Sequence, residues 1–130
     1  MKVFADTFYW IALTDSTDSA HSRAAQIADE IVTTDEVLTE YLNFFCAAPE
    51  FMRREVALVV EDILENPAVK VIPQGRESFL DGLKLYSDRP DKGYSLTDCI
   101  SMQAMRREGR TVALTNDRHF EQEGFKALFR

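Results

Sequence analysis

Short apolar runs alternate with longer helix-forming stretches along the chain, and this alternation is the feature that most constrains its fold. The runs are rich in β-branched and other apolar residues, and they predict buried strands at positions 3–5, 31–34, 69–72 and 111–115, with a last edge strand at 125–129. Strands that alternate with helices are typical of a parallel sheet, because each parallel connection needs a crossover segment. Helices on both faces of such a sheet explain why the runs are unbroken by polar residues.

The stretches between the runs predict helices at positions 8–13, 20–30, 35–48, 50–65, 76–87 and 95–107, and a loop or short helix at 116–120. Pro49 separates the third helix from the fourth. Ser95 and Asp98 have the spacing of a capping box, which marks the start of the helix at 95–107. Gly109 stands where a glycine commonly ends a helix.

Length and composition indicate one ordinary globular domain over residues 1–130, since 45% of the residues are hydrophobic and 28% are charged. No apolar run approaches the ~20 residues that span a bilayer, and the first residues lack the pattern of a signal peptide. We therefore expect a cytoplasmic protein with no membrane partner. Cys46 and Cys99 lie in apolar stretches without zinc-ligand spacing, so both are expected to be buried free thiols.

The chain is acidic, with 15 Lys and Arg against 22 Asp and Glu and a net charge of −7. A general nucleic-acid binder is usually basic, because neutralising phosphates dominates its affinity. The charge therefore weighs against a nucleic-acid substrate, unless some acids serve a local purpose and the basic residues are clustered.

Acidic residues follow two of the predicted strands and interrupt two of the predicted helices. Asp6 comes directly after the strand at 3–5, and Asp117 follows the strand at 111–115. Glu40 and Asp98 each stand among apolar neighbours within a helix. Ligands of open α/β folds bind beyond the carboxyl ends of the strands, so the four acids are expected to meet at one edge of the sheet.

Each acid alone has an ordinary structural explanation, as a helix cap, a turn former or a solvated side chain. Together the four would repel one another unless some are protonated or a cation binds between them. A cluster of carboxylate oxygens without Lys or Arg suits Mg²⁺ or Mn²⁺. Thr7 is placed to hold the Asp6 carboxylate or a water bound to the ion.

Four segments carry a resemblance to a known family: FADTFYWIAL at 4–13, LTEYLNFF at 38–45, YSLTDCISM at 94–102 and ALTNDRHFEQEGF at 113–125. In this order and spacing they resemble the PIN-domain family, and within it the small VapC-type toxins of prokaryotic toxin–antitoxin pairs. The resemblance implies a three-layer α/β/α sandwich around a short central parallel sheet. It also implies a metal-dependent endoribonuclease.

The same resemblance implies roles for particular residues. The ligands of the Mg²⁺ or Mn²⁺ ion, and thus the catalytic residues, would be Asp6, Asp98, Glu40 and Asp117. Hydroxyls that hold these ligands would come from Thr7, Ser95 and Thr115. No histidine pair is needed for this chemistry, so neither His119 nor His21 is assigned a role.

The implied partners are an RNA substrate, a second copy of the chain in a homodimer, and a cognate antitoxin. Basic side chains that would flank the substrate groove are Arg53, Arg54, Arg89, Lys92, Arg106, Arg107, Arg110 and Arg118. The apolar helices at 37–48 and 51–64 serve equally well as an antitoxin interface or as core.

Three other interpretations stay open. In the first, the chain is a PIN-like RNA-processing nuclease outside any toxin pair. In the second, it is a PIN-like binding module with weak activity. A phosphoacceptor signalling domain also places an Asp at a strand end beside Mg²⁺. That class is disfavoured, because Pro73 rather than an acid follows the strand at 69–72 and no Lys follows the strand at 111–115.

Overall fold

Five parallel strands form one sheet in the computed structural model, which describes residues 2–27 and 29–130. In chain order they are β1 (Lys2–Ala5), β2 (Glu30–Thr34), β3 (Val69–Ile72), β4 (Val112–Leu114) and β5 (Lys126–Ala127). Their spatial order is β3-β2-β1-β4-β5, and each neighbouring pair is parallel. The predicted strands are confirmed to within a few residues at their ends.

The helices of the described residues are α1 (Thr7–Thr14), α2 (His21–Ala25), α3 (Asp35–Phe44), α4 (Glu50–Glu65), α5 (Arg76–Asp88), α6 (Leu96–Arg107) and α7 (Arg118–Gln122). With the sheet they form the predicted three-layer α/β/α sandwich. None of these helices is long and apolar enough to cross a membrane.

The order of the strands reverses beside β1. From β1 the chain builds outward through β2 to β3 at one edge, and then returns to the other side of β1 to add β4 and β5. The carboxyl ends of β1 and β4 therefore flank a topological switch point, the place where open α/β sheets bind ligands. Asp6 and Asp117 follow these two strands.

The central strand anchors the core. Phe4 and Ala5 are fully buried, and Trp10 of α1 is 3% exposed. The indole Nε1 of Trp10 donates to Thr33 Oγ1 at 3.3 Å, and that hydroxyl donates to the carbonyl oxygen of Ala5 at 2.9 Å. Since all three polar groups are paired, the contact joins α1, β1 and β2 without an unsatisfied buried donor.

Helix α6 begins and ends as its sequence predicts. The Asp98 N–H donates to Ser95 Oγ at 3.0 Å, and the Ser95 N–H donates to Asp98 Oδ2 at 3.2 Å, which completes the capping box. Gly109 follows the helix with φ of +66°, the left-handed conformation that glycine adopts without strain.

Two predicted helices are longer than the observed ones. The helix predicted at 20–30 ends at Ala25, because Glu30 already pairs with Lys2 in the sheet; Ala28 lies outside the described residues. The helix predicted at 35–48 ends at Phe44, where tight i to i−3 backbone hydrogen bonds turn the chain toward α4. In both places tertiary structure outweighs helix propensity, which is a weak determinant.

The burial expected for Cys46 is not observed, and most of α4 is exposed. Cys99 is buried as predicted, but Cys46 is exposed because it lies in the turn after α3. Helix α4 buries only a narrow stripe that includes Val56 and Ile63, and leaves Leu58 57% exposed. Most apolar side chains of α4 therefore do not belong to the core.

Helices α5 and α6 pack closely at Gly82. A Cβ atom at this position would lie 2.4 Å from Ile100 Cγ1 and 3.2 Å from the Ile100 Cα atom. Because the neighbouring atoms include backbone, the contact cannot open by a side-chain rotation alone. Gly82 thus sets the distance between the two helices, and α6 carries Asp98.

We expect Gly82→Ala to lower the free energy of unfolding by about 1–3 kcal/mol, because the overpacking outweighs the gain in helix propensity. Ser87→Ala, at an exposed position of the same helix, is the control and should change stability by less than ~0.5 kcal/mol. Urea unfolding of both variants measures the difference. A Gly82→Ala variant more stable than the parent would contradict this account of the packing.

Candidate active site

The Asp6 side chain points into the fold rather than capping a helix. Asp6 occupies the N-cap position of α1, but its carboxylate makes no capping hydrogen bond. Instead, Asp6 Oδ2 accepts a hydrogen bond of 2.8 Å from Thr115 Oγ1, and the residue is only 8% exposed. Because the buried carboxylate of Asp6 does not cap the helix, helix stability does not explain why an acid stands at this position.

Thr115 connects the two acids that follow β1 and β4. Its hydroxyl donates to Asp6 Oδ2 and accepts a hydrogen bond of 3.1 Å from the Asp117 backbone N–H. Thr115 is fully buried, so this hydroxyl has a fixed position. The structure thereby confirms close contact between Thr115 and Asp6, which are 109 residues apart in the chain.

Glu40 reaches the same region from α3. Thr34 caps this helix, since its Oγ1 accepts from the Val37 N–H at 3.1 Å. Glu40 Oε1 accepts a hydrogen bond of 2.5 Å from Thr7 Oγ1, next to Asp6. The Thr7 hydroxyl therefore holds the Glu40 carboxylate, whereas the sequence suggested that Thr7 would hold the Asp6 carboxylate or a water bound to the ion.

Asp98 and Asp117 each cap a helix and also face the acidic cluster. Asp98 belongs to the capping box of α6, and Asp117 Oδ1 accepts from the His119 N–H at 2.9 Å. Ligand atoms of Asp98, Asp117 and His119 lie within 4.8 Å of one another, a spacing at which they could hold a metal ion. The ordinary capping roles are thus real, and they orient the same carboxylates toward the site.

The carboxylates are close enough to raise one another's pKa values. Burial raises the pKa of Asp6 to about 7, and the negative charges of Asp98 and Glu40 add to the increase, against the hydrogen bonds from Thr115 and the Thr7 N–H. Burial also raises the pKa of Asp98, with contributions from Asp117 and Glu40. The structure therefore brings all four predicted acids into one electrostatically coupled group.

No basic side chain offsets this charge. Within residues 2–27 and 29–130, Asp6, Glu40, Asp98 and Asp117 have no Lys or Arg within ion-pair distance. Several arginines expected beside the groove are paired with other acids or with backbone carbonyls, namely Arg53, Arg54, Arg89, Arg106, Arg107 and Arg110. The local field is accordingly negative.

One buried acid shows the opposite arrangement. Glu123, with a side chain 5% exposed, accepts hydrogen bonds from Arg89 and Arg106, each at 2.6 Å. Burial acts to raise its pKa, but the hydrogen bonds and charges of the two guanidinium groups hold the pKa below its usual range. Sequence reasoning missed Glu123, since its partners arrive from distant parts of the chain.

His119, to which the sequence assigned no role, lies beside two of the acids. Its Nδ1 atom lies 3.4 Å from Asp117 Oδ1 and 3.7 Å from Asp98 Oδ2. The only available signal was its position two residues after Asp117, and that spacing has no helical or strand periodicity to interpret. A surface groove lined by Glu36, Thr39, Glu40, Asn43, Gln74 and Thr97 includes one of the four acids, Glu40.

Comparisons with known proteins agree with this geometry. A family model described as the PIN domain matches residues 3–126. The crystal structure of VapC20 from Mycobacterium tuberculosis, a sarcin–ricin loop cleaving toxin, is similar with a TM-score of 0.80, 25% sequence identity and coverage of 95% of each chain. A search of curated proteins found no match.

The crystal structure of VapBC2 from Rickettsia felis, bound to a DNA fragment from their promoter, is also similar. Its TM-score is 0.67 at 12% identity, with coverage of 94% of this chain and 92% of that one, and it supports the fold alone. Together these findings confirm the resemblance to VapC-type PIN domains that the four sequence segments predicted. From the extent of the family match and the three-layer fold, the chain belongs to the PIN domain family.

Proposed function

We propose that the chain is a single-domain endoribonuclease that uses Mg²⁺ or Mn²⁺, and that it is the toxin of a type II toxin–antitoxin pair. The observation that carries this proposal is the coupled group of Asp6, Glu40, Asp98 and Asp117 at the switch point of the sheet, with no basic partner in the described residues. The similarity to VapC20, a sarcin–ricin loop cleaving toxin, supports a cleavage activity of this kind.

The donor set fits a hard divalent cation. Carboxylate oxygens are the ligands that Mg²⁺ and Mn²⁺ prefer, and Mg²⁺ typically takes one or two carboxylates while keeping several waters. Asp6 and Asp98 are the proposed principal ligands, with Glu40 and Asp117 direct or through water. The raised pKa values of Asp6 and Asp98 show that the group accommodates its charge poorly without a cation.

When bound, the ion would neutralise charge that develops on the scissile phosphate and would make a hydrolytic water more acidic. The protein positions the ligands: Thr115 fixes Asp6, Thr7 fixes Glu40, and the Ser95 N–H fixes Asp98. Attack by water rather than by the ribose 2′-hydroxyl would leave a 5′-phosphate and a 3′-hydroxyl.

Two apolar surfaces support the proposed homodimer and antitoxin. The first comprises Phe44, Phe51, Leu58 and Leu64 on α3 and α4, and the second comprises Phe79, Leu80, Leu83 and Tyr86 on α5. All eight side chains are at least 40% exposed. Exposed apolar side chains that share a face commonly mark sites where another chain binds, and Phe51 and Leu58 share one face of α4 because they are seven residues apart.

We expect Asp6→Asn and Asp98→Asn to abolish RNA cleavage, with a loss of at least ~100-fold, because each removes a charged ligand of the ion. Asp62→Asn, at an exposed position of α4, is the control and should cleave like the parent. Cleavage assays with Mg²⁺ or Mn²⁺ and with EDTA measure the effect. Undiminished cleavage in EDTA, or by either site variant, would refute the proposed function.

Thr115→Val should weaken binding of Mn²⁺ about 10- to 100-fold, because groups that orient metal ligands typically contribute that much to affinity. Its isopropyl group fills the same volume without the hydroxyl that joins Asp6 to Asp117. Thr115→Ser keeps the hydroxyl and should restore most of the affinity. Isothermal titration calorimetry makes the comparison; equal affinities for the Val and Ser variants would contradict this role.

The stability of the metal-free protein should depend on pH through Asp6. Its pKa rises from 3.8 to about 7 on folding, so the folded state holds a proton that the unfolded state releases. The resulting stability is present below pH ~4 and is lost as the pH rises through ~7, an effect on the order of 4 kcal/mol.

Asp6→Asn should remove this pH dependence while keeping an acceptor for Thr115. Unfolding free energies of the parent and the variant, measured from pH 4 to 8 in EDTA, should therefore diverge in favour of the variant as the pH rises. Addition of Mg²⁺ should raise the melting temperature of the parent and not that of the variant. Parallel pH profiles in EDTA would count against a buried, shifted Asp6.

A further inference from the structure

The imidazole of His119 stands between two carboxylates of the acidic group. We propose that His119 Nδ1, which lies beside Asp98 and Asp117, is a nitrogen ligand of the divalent ion bound by the acidic group, and that this site therefore binds Mn²⁺ in preference to Mg²⁺. This inference rests on the proposed metal-dependent function, and it adds a ligand of a different chemical type.

The distances are compatible with a shared ion. Nδ1 lies 3.4 Å from Asp117 Oδ1 and 3.7 Å from Asp98 Oδ2, and the three ligand atoms all lie within 4.8 Å of one another. Adjacent ligands of an octahedral ion with bonds of about 2.1 Å are about 3.0 Å apart, and opposite ligands about 4.2 Å apart. Small contractions toward a common centre would complete the coordination.

One ring nitrogen of His119, Nδ1, has an unsatisfied hydrogen-bonding capacity. Nδ1 is buried and makes no hydrogen bond with any residue in the described part of the chain. A buried polar atom without a partner is uncommon and calls for an explanation, such as an ion that binds there. The carboxylates of Asp98 and Asp117 lie beyond good hydrogen-bond geometry, so they do not satisfy it.

Neighbouring groups fix the orientation of the ring. The backbone N–H of His119 is held by Asp117 Oδ1 at 2.9 Å, and the Tyr94 ring packs against the imidazole with centroids 5.2 Å apart. The Tyr94 hydroxyl lies 3.2 Å from Glu123 Oε1, to which it donates, and Tyr94 is 4% exposed. Ligands held in place in this way lose little freedom when a metal binds.

A nitrogen ligand changes which ions the site prefers. Carboxylate and water suit Mg²⁺ and Mn²⁺ alike, whereas imidazole suits transition-metal ions. Ligation through Nδ1 requires a neutral imidazole with its proton on Nε2. The site is therefore expected to favour Mn²⁺ over Mg²⁺ by roughly tenfold or more, in contrast to a site made of oxygen ligands alone.

Electron spin-echo envelope modulation of bound Mn²⁺ tests the proposal directly, because it detects a nitrogen nucleus bonded to the ion. The chain has two histidines, His21 and His119. The parent protein with Mn²⁺ should show ¹⁴N modulation, which should be replaced by the ¹⁵N pattern when histidine alone is ¹⁵N-labelled. This measurement needs no variant, so it does not depend on how a substitution affects folding.

Variants then assign the signal to one histidine. His119→Ala and His119→Gln should lose the nitrogen modulation and bind Mn²⁺ about tenfold more weakly, with the affinity for Mg²⁺ changed less than about twofold. His21→Ala is the matched control, since His21 lies on α2, where its Nδ1 is 2.9 Å from the Ala12 carbonyl oxygen. This control should keep both the modulation and the affinity.

Each outcome separates this inference from the proposed function. Binding of Mn²⁺ to the parent without nitrogen modulation, or with modulation that persists in both His119 variants, would overturn the inference and leave the function standing. Absence of any Mn²⁺ binding at millimolar concentration would overturn both. Modulation that disappears only in the His119 variants would support the nitrogen ligand.

Discussion

Mutual repulsion of carboxylates at the switch point of the sheet is the constraint on which the rest of this structure depends. The parallel connections place the ends of β1 and β4 side by side, and helices α3 and α6 bring further acids over the same edge. Burial makes each negative charge more costly than it would be in water. The fold therefore has to supply strong local order, and in the described residues it does so with hydroxyl groups and helix caps rather than with Lys or Arg side chains.

Two buried acids in this chain are handled in opposite ways. Glu123 is neutralised by Arg89 and Arg106, and its pKa is held below the usual range despite burial. The partners of Asp6 among the described residues are a hydroxyl and a backbone N–H, and its pKa is raised. The first arrangement is typical of a structural ion pair. In the second arrangement the negative charge of the carboxylate has no positive partner in the described part of the chain, and a bound cation would supply one.

Much of this site could be predicted from the sequence because a parallel sheet places strand ends at one edge. Asp6 and Asp117 follow apolar runs that are typical of strands, and the capping box places Asp98 at the start of a helix. The remaining features depend on tertiary contacts. The sequence near Glu123 does not indicate that two arginines bind it, and the sequence near His119 does not indicate that its imidazole lies close to two carboxylates. The early end of α3 likewise follows from the connection to α4.

The pairing of arginines within the fold has a consequence for how the proposed RNA binding would depend on ionic strength. Arg89 and Arg106 are committed to Glu123, and Arg107 to Asp81, so these side chains have little charge left to displace counterions from RNA. Affinity that arises from few phosphate contacts falls only gently with added salt. If the proposed function holds, an acidic chain of this kind would distinguish its targets by shape and by the reach of the proposed metal site, instead of by long-range electrostatic attraction to any polyanion.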